Sequence, residues 1–231
     1  TMDFSNNIKY TDRQSKSRFV YEKYKDILKG KILDVGADEL YLKNHLSADT
    51  EYKGIGFGDN PDLIEIDLEK GPIPFESNSF DCVLCLDVLE HLENIHKVFD
   101  ELCRVSDKYV IISLPNPWSD MMTTLRLQKY RPDRNMKFYG LPLEREPDRH
   151  KWFFSSGEAK EFVEYRARKN NFHLLDLYIS NQGAKGYPGN MLMKILTAPV
   201  IYIIHKLYFR NDLELPDLYE STMWWVLEKN K

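Results

Sequence analysis

The sequence predicts an α/β protein built on a mostly parallel sheet, and three observations carry that expectation. Short apolar runs, at 32–35 and 80–86 among others, alternate at close spacing with stretches whose apolar residues recur at helical period. The run at 80–86 is apolar almost throughout, as a strand is when helices cover both faces of its sheet. The run at 32–35 ends in Asp34-Val-Gly36, where a residue without a Cβ lets the chain turn and a ligand approach beyond the strand's carboxyl end. Strand, helix and strand in succession imply right-handed crossovers and parallel neighbours.

In chain order, 15–28 reads as a helix whose inner stripe is Phe19, Val20, Tyr24, Ile27 and Leu28, with Gly30 as its stop. The first strand follows at 31–35. A short helix is expected at 39–46 with Leu42 and Leu46 inward, then strands at 52–57 and 64–67. The loop 71–75 holds Pro72 and Pro74 and cannot be a central strand. The fourth strand, 80–86, leads into one long helix over 88–105, with Leu92, Ile95, Val98, Phe99 and Leu102 inward, and a fifth strand at 108–114.

There the alternation breaks. Residues 115–152 carry prolines at 115, 117, 132, 142 and 147 with aromatics between them, and a long segment of this kind inside a compact domain is usually functional. It reads as an ordered cap. A helix at 158–169 and a strand at 172–179 resume the pattern, and a second insertion, 183–216, precedes a last strand at 222–228.

At 231 residues the chain is long enough for one large domain with an elaborated cap. Its net charge of -4 excludes the basic balance of a general nucleic-acid binder, so no nucleic-acid partner is expected. No run reaches the ~20 apolar residues of a membrane span, and no secretory leader is visible; a cytoplasmic location is expected. Cys82 and Cys85 sit within a strand, where residues three apart face opposite ways, so neither redox nor metal chemistry is expected of them.

Three motifs in order, Lys31-Ile-Leu-Asp-Val-Gly-Ala37, Ile66-Asp-Leu-Glu69 and the run 78–93 through Asp87, resemble successive motifs of the class I S-adenosylmethionine-dependent methyltransferases, of the type 11 kind. The resemblance implies a Rossmann-like methyltransferase fold, with a mostly parallel seven-stranded sheet, a C-terminal antiparallel hairpin and an inserted cap. It further implies that S-adenosyl-L-methionine is the cofactor, met by the backbone around Asp34, Val35, Gly36 and Ala37. Asp34 would hold its amino group, Asp67 and the Leu68 amide would meet the adenine edge with Phe57 packing on it, and Asp87 would lie beside the methionine moiety and the transferring methyl. The first helix would close over the cofactor, bringing Tyr10 and Arg18 near the pocket. Asp67 and Asp87 have a second reading as helix caps, a role Asp favours.

Two positions depart from the family pattern. Asp38 and Leu40 stand where glycine is common, which narrows the loop after the first strand, and Gly56 stands where the family places a carboxylate for the ribose hydroxyls. The stretch 36–40 also lacks the Gly-x-Gly-x-x-Gly turn of a nicotinamide-binding enzyme.

The cap carries the acceptor expectation. Between Trp118 and Trp152 lie eight basic and five acidic residues, a local excess of three positive charges. That balance suits a small anionic or glycan-like acceptor, with Arg131, Tyr139, Arg149 and Trp152 as the residues expected to bind it. His150, between a basic pair and aromatics, is the candidate general base, since an unperturbed imidazole titrates near pH ~6.5; the other reading is a loop histidine bonded to backbone. The apolar stretch 191–209, flanked by Lys194, Lys206 and Arg210, suits weak contact with a membrane surface, a packed insertion or a homodimer face. A methyltransferase-fold protein without catalysis is the alternative function.

Overall fold

The computed structural model describes residues 2–119, 121, 144, 149–180, 199, 202, 203, 206, 207 and 222–231. Its seven strands form one sheet: β1 Lys31–Val35, β2 Glu51–Gly56, β3 Ile64–Glu65, β4 Phe80–Leu86, β5 Ser106–Pro115, β6 Phe172–Ser180 and β7 Thr222–Lys229, in the order β3-β2-β1-β4-β5-β7-β6. Neighbours from β3 across to β5 are parallel. The C-terminal pair is antiparallel: beyond the end of β7 the Asn230 amide donates to the carbonyl of Asn171, just before β6, at 2.8 Å. Strand order reverses between β1 and β4, so a crevice opens beyond their carboxyl ends.

The chain divides into two compact units, one of Thr1–Leu114, Val163–Tyr178 and Trp224–Lys231, the other of Pro115–Phe162 and Ile179–Met223. The second unit contains both segments expected as insertions, 115–152 and 183–216. In the first, helix α1 (Arg13–Tyr24) lays Phe19, Val20 and Tyr24 on a core shared with Ile32, Leu84, Ile111 and Trp224. Asp12 caps it in a reciprocal box with Ser15, each side chain accepting the other's backbone amide, at 2.8 and 3.1 Å.

Two expected helices differ. Residues 88–105 are not continuous: a 3₁₀ turn at Leu89–His91 is followed by a break, and α2 runs Ile95–Val105. The cause lies on the loop after β3, where the Glu69 carboxylate accepts the amides of Glu93 (2.6 Å) and Asn94 (3.4 Å), while Asn94 Nδ2 donates to Leu68 O at 2.9 Å. Side chains thus take the groups that a continuous helix would have paired. The segment expected at 39–46 shrinks to a 3₁₀ turn, Tyr41–His45, because Leu40 ahead of it takes a left-handed φ of 54°.

The proline-stiffened loop after β3 is pinned by Arg104, whose guanidinium donates to Ile73 O and Phe75 O, each at 2.8 Å, and pairs with Glu101 at 2.7 Å. Helix α3 (Ser156–Lys169) opens with Ser155 and Glu158 capping one another, and its Arg166 donates to His96 O at 2.7 Å, docking its end on α2. Cys82, Cys85 and Cys103 are free and buried. Among the described residues no helix is long and apolar enough to cross a membrane.

Candidate active site

The turn after β1 is held by sterics. Gly36 has φ 80°, and a Cβ there would lie 2.1 Å from Val88 Cγ2. The amides of Gly36 and Ala37 both donate to Ile55 O, at 2.8 and 3.1 Å, tying the turn to β2. Gly56, at the end of β2, has φ 150°, and its missing Cβ would lie 2.9 Å from Ala37 O and 3.2 Å from Gly36 Cα. No side chain fits at 56 while the β1 turn keeps its place. The ribose carboxylate of the family is therefore sterically excluded from this position. Leu40 packs against β2, where a Cβ at Gly54 would lie 2.3 Å from its Cδ2, and Ala37 and Leu40 are buried. Asp59 is exposed, and Phe57 presents an aromatic face that is 62% exposed.

Charge governs the rest of the crevice. Asp34 lies opposite Gly54 in β2 and Leu84 in β4, and accepts the Tyr52 hydroxyl at 2.7 Å. Burial raises its carboxyl pKa to about 6, against the lowering influence of that hydroxyl and of the Lys16 charge. The same burial, with the Asp34 charge beside it, pushes the Tyr52 phenol far above its ordinary range, so Tyr52 stays a donor.

Asp87 follows β4 with a left-handed φ of 55°, a conformation that costs a non-glycine residue about 1–2 kcal/mol and which clusters at functional sites. It does not cap the next turn, whose N-cap is Val88, so the capping alternative is removed for this residue. Its Oδ1 accepts the Ser113 hydroxyl at 2.5 Å, its amide donates to Ser113 O at 3.0 Å, and its Oδ2 pairs with Lys16 Nζ at 2.6 Å. Lys16 Nζ also lies 5.1 Å from the Trp224 ring centroid.

Asp67 and Leu68 sit on the loop after β3. Asp67 Oδ1 accepts the Glu69 amide at 3.0 Å and Oδ2 pairs with Lys70 at 2.9 Å, so Asp67 orders its own turn, while Leu68 is buried. Of the two residues expected near the crevice, Tyr10, ahead of α1, packs on Phe19 and Trp224, at 5.1 and 6.3 Å between ring centroids, and Arg18 of α1 is exposed. Lys16, Tyr52 and Ser113 are the polar partners that sequence reading missed. For Lys16 a signal existed: it stands at i−3 and i−4 from Phe19 and Val20, a lysine inside the buried stripe of α1.

Arg149, His150 and Trp152 are half-buried residues of the second unit, where Trp118 and Phe153 meet edge to face at 5.0 Å. Arg131 and Tyr139 lie outside the described residues.

Fold and crevice together define a class I methyltransferase fold. Residues 34–112, about a third of the chain, match the family described as a methyltransferase domain, from the tip of β1 into β5. What these residues share with the methyltransferase domain, and the whole chain with solved structures, is the class I methyltransferase fold. Solved structures of this fold include a SAM-dependent methyltransferase from Archaeoglobus fulgidus, similar at 12% identity over 94% of both chains with a TM-score of 0.54. They also include magnesium protoporphyrin IX methyltransferase from Synechocystis, with bound SAH, at 13% identity over 94% of this chain and 81% of that one, TM-score 0.50. The [4+2]-cyclase SpnF is similar at 12% identity over 99% of this chain and 86% of its own, TM-score 0.55. No curated protein sequence matches the chain significantly.

Proposed function

We propose that the chain binds S-adenosyl-L-methionine over the tips of β1 and β4 and transfers its methyl group to an oxygen of a small anionic or glycan-like acceptor. The observation that carries this reading is the pair of carboxylates, Asp34 and Asp87, at the switch point of a methyltransferase-like sheet, with Asp87 held in a left-handed conformation. When bound, the sulfonium supplies an activated methyl group. The residues present fit such a ligand: two anions suit its cationic groups, and Phe57 offers an exposed ring to a nucleobase. Asp67 and Leu68 would border the adenine.

Transfer to a hydroxyl requires a proton to leave the oxygen and the two reactants to be aligned, and alignment alone can supply about 7–11 kcal/mol of the barrier. His150 takes the proton in this reading, and Arg131, Tyr139, Arg149 and Trp152 hold the acceptor. The positive balance of the cap supports an anionic partner. The stretch 191–209 includes Tyr202, Ile203 and Leu207, each more than half exposed, which supports weak contact with a lipid surface.

A screen of acceptors for S-adenosylhomocysteine release tests the activity, with turnover expected for a phosphate- or carboxylate-bearing acceptor; none across such a panel would count against it. One feature favours a second reading, a binding protein without transferase activity: the close packing at Gly56 leaves the ribose without the family's carboxylate. Saturable cofactor binding without turnover on any acceptor would support that alternative.

A further inference from the structure

We propose that Lys16 is a specificity-determining residue, a resident cation that any positively charged ligand centre must displace from Asp87. The inference rests on the cofactor reading above and adds to it a rule for which charge form of the ligand the site prefers.

The geometry is that of an occupied cation site. Lys16 Nζ lies 2.6 Å from Asp87 Oδ2 and 5.1 Å from the Trp224 ring centroid, with its side chain only 18% exposed. Carboxylate on one side and aromatic face on the other is the environment in which a sulfonium or ammonium would also be stable. The turn that presents Lys16 is fixed independently. Asp12 and Ser15 form the capping box, and Arg13 pairs with Asp38 on the loop after β1. One turn of α1 therefore reaches both lips of the crevice, Arg13 to Asp38 and Lys16 to Asp87.

A ligand cation arriving beside Asp87 meets a charge already neutralised and a like charge a few ångströms away. A neutral ligand of the same shape meets neither obstacle. Lys16 consequently penalises the sulfonium of S-adenosylmethionine relative to the neutral thioether of S-adenosylhomocysteine, and removing its charge lifts that penalty.

The test is calorimetric titration of the wild type, Lys16→Gln and Lys16→Arg with both ligands. Lys16→Gln is expected to shift the affinity ratio about tenfold toward S-adenosylmethionine, and Lys16→Arg, which keeps a cation, to leave it as in the wild type. Equal weakening of both ligands would show that Lys16 instead holds a group common to them, such as the ligand's carboxylate, and would overturn the proposal; so would an unmoved ratio. If no protein binds either ligand, the cofactor reading itself falls and takes this inference with it. Should Lys16→Gln fail to fold, hydrogen exchange on the wild type decides. Amides 13–18 are expected to exchange faster with S-adenosylmethionine and not with S-adenosylhomocysteine, and identical responses would overturn the proposal.

Discussion

The two sides of the crevice are built by different physics. On the β1–β2 side, backbone meets backbone: Gly56 approaches Gly36 and Ala37 so closely that no Cβ fits at 56, while the space a Cβ at 36 would need is taken by the Val88 side chain. On the β4 side the critical group, Asp87, is held by side chains, the Lys16 ammonium and the Ser113 hydroxyl. The first side is fixed by repulsion, which changes steeply with distance and tolerates no substitution. The second is fixed by attraction, which a competing charge can replace. A crevice with one rigid and one exchangeable wall fits a site that registers a ligand on the first and reads its charge on the second.

The largest effect should come from restoring the family's carboxylate. Gly56→Asp drives a Cβ into the Ala37 carbonyl at a position whose φ disfavours side chains, a combination of overpacking and backbone strain worth about 3 kcal/mol or more. For a chain of this size the melting temperature should fall by about 6–12 °C, read by circular dichroism, without any gain in cofactor affinity. A stable Gly56→Asp protein with tighter binding would erase the distinction between the two walls.

On the other wall, Asp87→Asn should leave the fold intact, since Asn tolerates the left-handed conformation. Affinity for S-adenosylmethionine should drop about ten- to a hundredfold, in line with the ~1.5–3 kcal/mol of a hydrogen bond to a charged group. Calorimetry with a thermal melt as control checks both halves of that expectation.

Asp34 stands between the walls, and its effect depends on pH. Its folded pKa, about 6, lies above the ordinary 3.8. The folded state holds this proton more tightly, so the group's stabilising contribution is complete below pH ~4 and is lost as pH rises through ~6. A shift of two units corresponds to about 3 kcal/mol, and partial access of water to the half-buried residue reduces it to about 1–2 kcal/mol. Asp34→Asn should therefore flatten the stability profile between pH 4 and 7 and be the more stable protein at pH 8. Affinity for a cationic ligand should run the opposite way, rising with pH through ~6 as the carboxylate ionises. The smallest effect is expected from Phe57→Ala, which should change stability by no more than about 0.5 kcal/mol, as exposed substitutions usually do, while weakening nucleoside binding severalfold.

What could be read in the sequence follows the same division. The strands 31–35 and 80–86 and the glycine turn were legible because burial on both faces and a missing Cβ leave a direct imprint on residue type. The break before α2 was not, because Glu69, some 25 residues away, takes the amides that helical periodicity alone would have assigned to α2. Nor was the reason for Gly56: the absent carboxylate could be seen, the Ala37 carbonyl occupying its space could not. The partners of Asp87 depend on β5 and α1 converging on one strand tip, a long-range fact whose only local trace is a lysine within an apolar stripe.

The most direct test is a crystal structure of the protein grown with S-adenosylhomocysteine. The ligand should lie against Gly36 with its methionine end between Asp34 and Asp87 and its adenine near Phe57. A crevice closed by Ala37 and Leu40 with the ligand bound elsewhere would contradict the site and leave only the architecture standing.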